Sequence, residues 1–398
     1  MTKIEPLSLR RRLALEIWRK GYQHIVEEHP LRQLFWECTL RCNLHCRHCG
    51  SDCKVKAGVT DMPLQDFLRV LDNISQHTDP HQVFVIVTGG EPLMREDIAQ
   101  CGAAIYKKGF PWGMVTNALY LTPQKFNDLL NAGLHTMTIS MDGLGDEHNW
   151  MRGNKHSFEM VSQAIDLLVS HPEIKFDILT CVNRRNYPHL DAIKQFLIDK
   201  GVKNWRVVAV FPVGRAASDP DMHLMPEEYK GILKFIKQTR KEGRIACSYG
   251  CEGFMGNFEG DIRNTFYGCH AGVTVGSVLV DGSISACASS VPTIIRAIST
   301  RMISWISGST VSCLTVTVNG CGRVSVPSAD TSDTARAVVC IFVMMRAISS
   351  CARCIDVNRH LYKWRFTFVH LLDFPPKNLR VSNIICIFAS GDYEIFVT

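Results

Sequence analysis

Two rhythms of apolar and polar positions run along this chain. Leu13, Ile17, Trp18, Tyr22 and Ile25 recur at helical spacing inside a basic segment, residues 9–31, and predict a helix whose apolar face packs on the main body; a partner or membrane-surface helix is the alternative. From Gln33 the rhythm becomes strand, turn, helix, repeated. Apolar, strand-like runs cover Gln33–Glu37, Val83–Thr88, Trp112–Thr116, Thr136–Met141, Lys175–Val182 and Trp205–Phe211. Helical stretches separate them: Pro63–Gln76, Arg95–Lys108, Pro123–Ala132, Ser157–Ser170 and Tyr187–Lys200. Six such units imply an α/β fold with a parallel sheet and crossover helices, closing into a partial (β/α)6 TIM-like barrel with its chemistry at the carboxyl ends of the strands. A further helix, Pro226–Gly243, precedes a Gly- and Cys-rich region, Ser248–Ser290. The expected organisation is therefore 1–31 as an N-terminal amphipathic helix, 32–243 as the barrel, 244–290 as a second small domain and 291–398 as a tail.

A length of 398 residues with 46% hydrophobic and 21% charged positions excludes a disulfide-stapled miniature fold and a disordered chain. No apolar run is long enough to span a bilayer; the stretch Ala337–Met345 is bounded by Arg336 and Arg346, so no integral membrane segment is expected. The N-terminus lacks the pattern of a secretory signal, which makes the cytoplasm the expected location. Residues 1–290 hold 33 Lys and Arg against 32 Asp and Glu, whereas 291–398 hold 11 against 6. The net charge of +6 thus sits mostly in the tail and gives no case for nucleic-acid binding. In a reducing compartment the 17 cysteines read as metal ligands and core thiols rather than disulfides.

Directly after the first strand come Cys42, Cys46 and Cys49, a C-x3-C-x2-C spacing. Three thiolates in one tight loop can hold three irons of a cubane cluster and leave the fourth open to a substrate. A zinc ion is the physical rival, with Cys38, His45, His48 or Cys53 able to complete a tetrahedron. The second strand ends in Thr88-Gly89-Gly90-Glu91-Pro92, two glycines that permit close backbone approach, then a carboxylate and a helix-starting proline. Cys38, Cys101 and Cys181 lie in apolar stretches and read as core thiols; Cys53 reads as a core thiol or a neighbour of the cluster loop.

The paired motifs resemble those of the radical S-adenosylmethionine (SAM) superfamily over about Gln33–Ser290. The resemblance implies Cys42, Cys46 and Cys49 as ligands of a 4Fe-4S cluster and His48 as the flat side chain beside the adenine. It implies Gly89, Gly90 and Glu91 facing the methionine amino group, with Thr88 as support. Asn117, Ser140, Asp142 and Arg152 fall where similar proteins place ribose and carboxylate contacts. The implied activity is reductive cleavage of SAM to methionine and a 5'-deoxyadenosyl radical that abstracts hydrogen from a substrate.

Cys269 and Cys287, with Gly282 between them, resemble the opening half of a SPASM auxiliary-cluster domain, and Cys251 could add a ligand. Val273–Leu279 and Ile284–Ala288 alternate like a hairpin turned at Asp281-Gly282. The second half, C-x2-C-x5-C, is missing: Cys351 and Cys354 are followed six residues on by His360, and Cys313, Cys321, Cys340 and Cys386 match no cluster pattern. Residues 291–398 also contain two Lys to nine Arg, and no sustained period. Regrouping degenerate codons for residues 292–305 in a shifted frame permits Asp-Tyr-His-Gln-Gly-Asn-Ile-Tyr-Glu-Asp-Asp-Phe-Met-Asp. The same shift over Ser325–Ile341 permits Cys-Ala-Glu-Cys-Gly-His-Phe-Arg-Tyr-Cys-Glu-Gly-Ser-Gly-Met-His, which restores the missing spacing. The expectation is that the reading leaves its frame near Ser290 and that 291–398 forms a poorly ordered tail; a gene whose codons do not regroup this way refutes it. Trp36–Cys49 and Phe211–Ala216 look most like a Bacteroidetes radical SAM/SPASM subfamily paired with a lipoprotein.

The expected partners are a peptide, protein or small-molecule substrate and a low-potential electron donor such as flavodoxin or ferredoxin. Two alternatives stand beside this: a small-molecule enzyme similar to the molybdopterin-precursor cyclase, and a non-catalytic zinc- or cluster-binding protein.

Overall fold

The computed structural model describes residues 8–51, 53–250 and 253–287, with four short strands further on. It divides into two units, 1–310 and 311–398.

The first unit is built on one nine-stranded sheet in the order β7-β6-β5-β4-β3-β2-β1-β8-β9. Six strands match the apolar runs: β1 (Gln33–Glu37), β2 (Phe84–Thr88), β3 (Trp112–Thr116), β4 (Leu134–Ser140), β5 (Lys175–Val182) and β6 (Asn204–Ala209). All are parallel to their neighbours. The helices between them are α2 (Leu64–Ser75), α3 (Ile98–Lys107), α4 (Pro123–Asn131), α5 (Gly145–Arg152), α6 (Ser157–Val169) and α7 (Leu190–Asp199), and α8 (Pro226–Glu242) follows β6. The sheet runs on past Gly243. Strand β7 (Ala246–Tyr249) adds a seventh parallel strand beside β6, and β8 (Val275–Val278) pairs parallel with the free edge of β1, Phe35 opposite Ser277. The expected hairpin is present: β9 (Ile284–Ser285) returns antiparallel to β8, and Gly282 takes the positive φ of 83° that its turn requires.

Outward-pointing residues of the strands make the core. Trp36 lies flat on Phe67 of α2, with ring centroids 4.2 Å apart. Trp112 packs over Gly102 of α3, where a Cβ would come within 2.1 Å of the indole, and donates to the Ala132 carbonyl (3.0 Å). Trp205 meets Phe235 of α8 edge-on and donates to Thr180 Oγ1 (2.9 Å). Each such side chain contributes about 1.5–3 kcal/mol by burial. The inward residues behave differently. Phe35, Glu37, Ile86, Thr88, Thr138, Ser140, Asp177, Leu179, Cys181 and Val208 alternate with fully buried neighbours yet are only partly buried themselves. The concave face is thus an open trough rather than the packed interior of a complete barrel.

Helix α1 (Leu9–Glu28) starts on Ser8, whose hydroxyl accepts from Arg11 N–H (3.4 Å). Its aromatic side packs on the body: Trp18 and Tyr22 stack, Tyr22 Oη donates to the Cys269 carbonyl (2.5 Å), and Arg11 pairs with Asp261. Leu13 and Ile17, expected on the packed face, are 62% and 66% exposed. A helix resting on one side can bury one stripe, and the larger aromatic stripe occupies it.

In the second unit, β10 (Cys313–Val318) pairs antiparallel with β11 (Gly322–Pro327), and β12 (Ile384–Ile385) with β13 (Phe396–Val397). The rest of the expected off-frame tail, and Cys251, lie outside the described residues.

Candidate active site

Strand β1 leads into the cysteine loop, and the turn after β2 is zipped onto that loop's entrance. Cys38 N–H donates to Thr88 C=O (2.9 Å), Gly90 N–H to Thr39 C=O (2.7 Å) and Glu91 N–H to Arg41 C=O (2.8 Å). A Cβ on Gly89 (φ 141°) would stand 2.2 Å from Thr39 O, and one on Gly90 2.3 Å from Arg41 O. Both glycines therefore serve the approach of backbone to backbone, whatever else the turn binds. The Glu91 carboxylate is also occupied within the chain: it accepts from Leu93 N–H (3.0 Å), Thr116 Oγ1 (2.7 Å) and Asn117 N–H (2.7 Å). Burial raises its pKa, and these donors oppose the rise.

Cys42, Cys46 and Cys53 are buried with Leu44, and Cys49 packs against them. Burial pushes the Cys42 thiol up to about 11 and raises Cys46, although the Arg152 guanidinium opposes the latter. The hydrogen bond from Cys53 holds Cys49 low, with help from Arg215. To bind metal as thiolates, these buried sulfurs would need positive charge beside them.

Among the described residues, the one set of three ligand atoms lying within 4.8 Å of each other is His48, Asp142 and Cys181. The three loop sulfurs therefore do not all lie within 4.8 Å of one another. N–H groups point at the sulfurs: Arg152 Nη1 lies 3.7 Å from Cys46 Sγ and Asn117 Nδ2 4.0 Å from Cys42 Sγ, the outer-shell donors that suit iron–sulfur ligation. The donor set fits a 4Fe-4S cluster. Within His48, Asp142 and Cys181 no cation is needed, because Arg152 Nη2 already pairs with Asp142 Oδ2 at 2.7 Å.

That ion pair is the hub of the site. Asp142 accepts from Cys181 N–H (2.9 Å), and His48 Nε2 lies 3.9 Å from its other oxygen. Burial lowers His48 to about 4, so its ring is neutral. His148 is buried behind Asp142, its Nδ1 accepting from Asp142 N–H (3.1 Å) and its Nε2 meeting Ser157 Oγ (3.0 Å). Arg152 ends α5, and Gly153 (φ 66°) lets that end press on the loop, since a Cβ there would be 2.8 Å from His45 O.

The structure thus brings Cys42, Cys46, Cys49, His48, Thr88, Gly89, Gly90, Glu91, Asn117, Asp142 and Arg152 to one end of the sheet, with Ser140 on the trough just below. Asn117 donates to Asn43 Oδ1 (2.8 Å), and like Asp142 and Arg152 it has partners inside the chain. Three buried nitrogens there lack any partner, Asn43 Nδ2, His48 Nδ1 and Arg152 Nε, and are open to a polar ligand. Cys181, expected in the core, lies at this site; Cys38 and Cys101 are core thiols. Cys269 and Cys287 are part-exposed.

Arg215 was not visible as a site residue. It follows β6, and its Nε donates to Cys46 C=O (2.7 Å), its Nη1 to Cys53 C=O (3.3 Å) and its backbone N–H to Cys49 C=O (3.0 Å). Gly214 (φ 58°) permits this, a Cβ there lying 2.4 Å from Cys49 O. The only sequence signal was the Gly-Arg pair in Phe211–Ala216.

Comparison with known proteins agrees with this geometry. Residues 36–197 match the family model described as Radical SAM superfamily. The chain is 28% identical over 211 residues to an AdoMet-dependent heme synthase of Oleidesulfovibrio alaskensis, covering 53% of this chain and 53% of that protein. It therefore spans about half the length of such curated relatives. Among solved structures, Streptococcus suis SuiB bound to precursor peptide SuiA superposes with a TM-score of 0.51 at 17% identity, covering 72% of this chain and 66% of that one. Native anSMEcpe with bound AdoMet and Cp18Cys peptide gives 0.53 at 20% identity, covering 66% and 75%. At these identities the structures establish a shared fold.

Proposed function

We propose that this protein, whose residues 36–197 match the radical SAM family model, is an enzyme that reductively cleaves SAM at a 4Fe-4S cluster and abstracts hydrogen from a peptide or protein. The carrying observation is the three-thiol loop, Cys42 and Cys46 buried and Cys49 partly so, with an amide donor aimed at the first sulfur and a guanidinium at the second. Cys42, Cys46 and Cys49 would hold the cluster. When bound, it supplies the electron that splits SAM into methionine and a 5'-deoxyadenosyl radical.

The chain's own residues do the positioning. His48, neutral and flat, would lie beside the adenine; the partnerless nitrogens of Asn43, His48 and Arg152 would be available to SAM; Thr88, Gly89 and Gly90 would present backbone to its amino group, and Glu91 keeps that turn in place. Asn117, Ser140, Asp142 and Arg152 would shape the ribose and carboxylate side. The open trough below gives an extended substrate room. SuiB and anSMEcpe, solved with peptides, support the peptide reading; the heme synthase relatives favour a small molecule as the second reading. Cys269, Cys287 and Cys251 would serve an auxiliary cluster, and a flavodoxin or ferredoxin would deliver the electron.

Anaerobic reconstitution tests this. Brown protein holding iron and sulfide, which forms 5'-deoxyadenosine from SAM under reduction and loses both properties in Cys46→Ala, is expected. Colourless protein with one bound zinc would sink the proposal.

A further inference from the structure

The cysteine loop carries a thiol that the three-sulfur spacing does not use. Cys53 is 5% exposed and shares one buried group with Cys42, Leu44 and Cys46, against which Cys49 packs. Cys42 N–H donates to the Lys54 carbonyl (2.9 Å), so the residue after Cys53 is brought back to the residue that opens the spacing. Arg215 holds the far side of the loop: its backbone N–H donates to the Cys49 carbonyl (3.0 Å) and its Nη1 to the Cys53 carbonyl (3.3 Å). Within this frame the Cys53 thiol donates a hydrogen bond to Cys49 Sγ.

That bond completes a set. Asn117 Nδ2 is aimed at Cys42 Sγ (4.0 Å), Arg152 Nη1 at Cys46 Sγ (3.7 Å) and Cys53 at Cys49 Sγ, one donor for each sulfur of the spacing. The first two reach in from other elements and have further partners, Asn43 for Asn117 and Asp142 for Arg152. Cys53 belongs to the loop itself. A fourth thiol beside a cluster can be an iron ligand, a disulfide partner or a donor. As a ligand it would close the iron that three thiolates leave open, and as a disulfide partner it would take Cys49 out of use; as a donor it leaves all three ligands in place.

We propose that Cys53 is a positioning residue for the cluster, its S–H donating to the Cys49 sulfur and raising the cluster's reduction potential. Reduction adds negative charge that is shared with the thiolates, so a donor aimed at one of them stabilises the reduced state more than the oxidised one. A thiol is a weak donor, and the expected effect is correspondingly modest. This role rests on the cluster of the function proposed above, but on neither SAM cleavage nor a substrate.

The test is a redox titration of the reconstituted full-length chain, without SAM, followed by electron paramagnetic resonance. At the wild-type midpoint the ratio of reduced to oxidised cluster should fall about threefold in Cys53→Ala, which at about 59 mV per tenfold for one electron is a downward shift of about 28 mV. Cys53→Ser keeps a hydroxyl donor and should return most of that shift, which a thiol that only fills space would not. The proposal is overturned if the ratio is unchanged in Cys53→Ala, if Cys53→Ser shifts as far as Cys53→Ala, or if both variants lose the cluster, which would make Cys53 an iron ligand or a packing residue. A cluster whose potential answers to Cys53 but which never cleaves SAM refutes the function and leaves this role standing. Unchanged potentials in a chain that does form 5'-deoxyadenosine refute this role alone, and a chain that takes up no cluster refutes both.

Discussion

Replacing Asp142 by Asn isolates the ion pair at the centre of the site. Asn keeps an oxygen for Cys181 N–H and the volume of the side chain, but leaves the Arg152 guanidinium, 6% exposed, without its counter-ion. Water cannot reach in to compensate, so the cost is that of breaking a buried pair, about 3–5 kcal/mol. With an m of about 3 kcal/mol/M, the urea midpoint of the cluster-free chain should fall by about 1–1.7 M at unchanged slope. Removing the stranded charge as well, in Asp142→Asn with Arg152→Met, should recover roughly 2 kcal/mol or more relative to the sum of the single changes, because an apolar pair costs little where an unpaired cation costs much. Equilibrium unfolding of the four proteins reads this directly. A single variant within about 1 kcal/mol of wild type, or simple additivity, would show that solvent reaches the pair and that the buried-hub reasoning is wrong.

Arg215→Met should loosen the cysteine loop by removing its side-chain bonds to the Cys46 and Cys53 carbonyls; iron retention during anaerobic gel filtration should fall several-fold, with far-UV circular dichroism unchanged. In Gly90→Ala the new methyl meets the Arg41 carbonyl at 2.3 Å, a backbone atom that cannot turn aside, so both thermal stability and iron loading should drop. Burial holds His148 neutral, its pKa lowered to about 3. The unfolded chain therefore binds a proton that the folded chain refuses between about pH 6.5 and 3. That contribution to stability is complete above pH 6.5 and is lost on acidification through this window, at up to about 1.4 kcal/mol per pH unit. His148→Gln should show a correspondingly flatter pH dependence by urea titration; equal slopes would mean that the ring is protonated in the fold.

Most strands and helices were legible because a parallel sheet covered by helices needs apolar runs at fixed intervals, and those runs tolerate little else. Strands β1, β3 and β5 begin and end where the pattern predicts. Strand β7 was not legible, because four residues such as Ala246–Tyr249 carry too little pattern to distinguish a strand from a loop; β8 was legible as one arm of a hairpin, but its parallel pairing with β1 was not. The aromatic stripe of α1 and the exposed Leu13 and Ile17 have the same periodicity, and only contact with residues 266–270 tells them apart.

What the sequence by itself determined is the chemistry that depends on spacing along the chain: three thiols in one loop, a glycine turn one unit later, and the order of strands that carries both to the same end of a sheet. What only the tertiary structure decided depends on residues far apart in sequence. Asp142 lies between Cys181 N–H and the His48 ring, Arg215 reaches back about 170 residues to the carbonyls of the cysteine loop, and Ser277 closes a cavity against Glu37. Spacing can be read from a string because covalent geometry fixes the reach of a short loop. Pairing across the fold cannot, because it is set by which surfaces the packed core brings together.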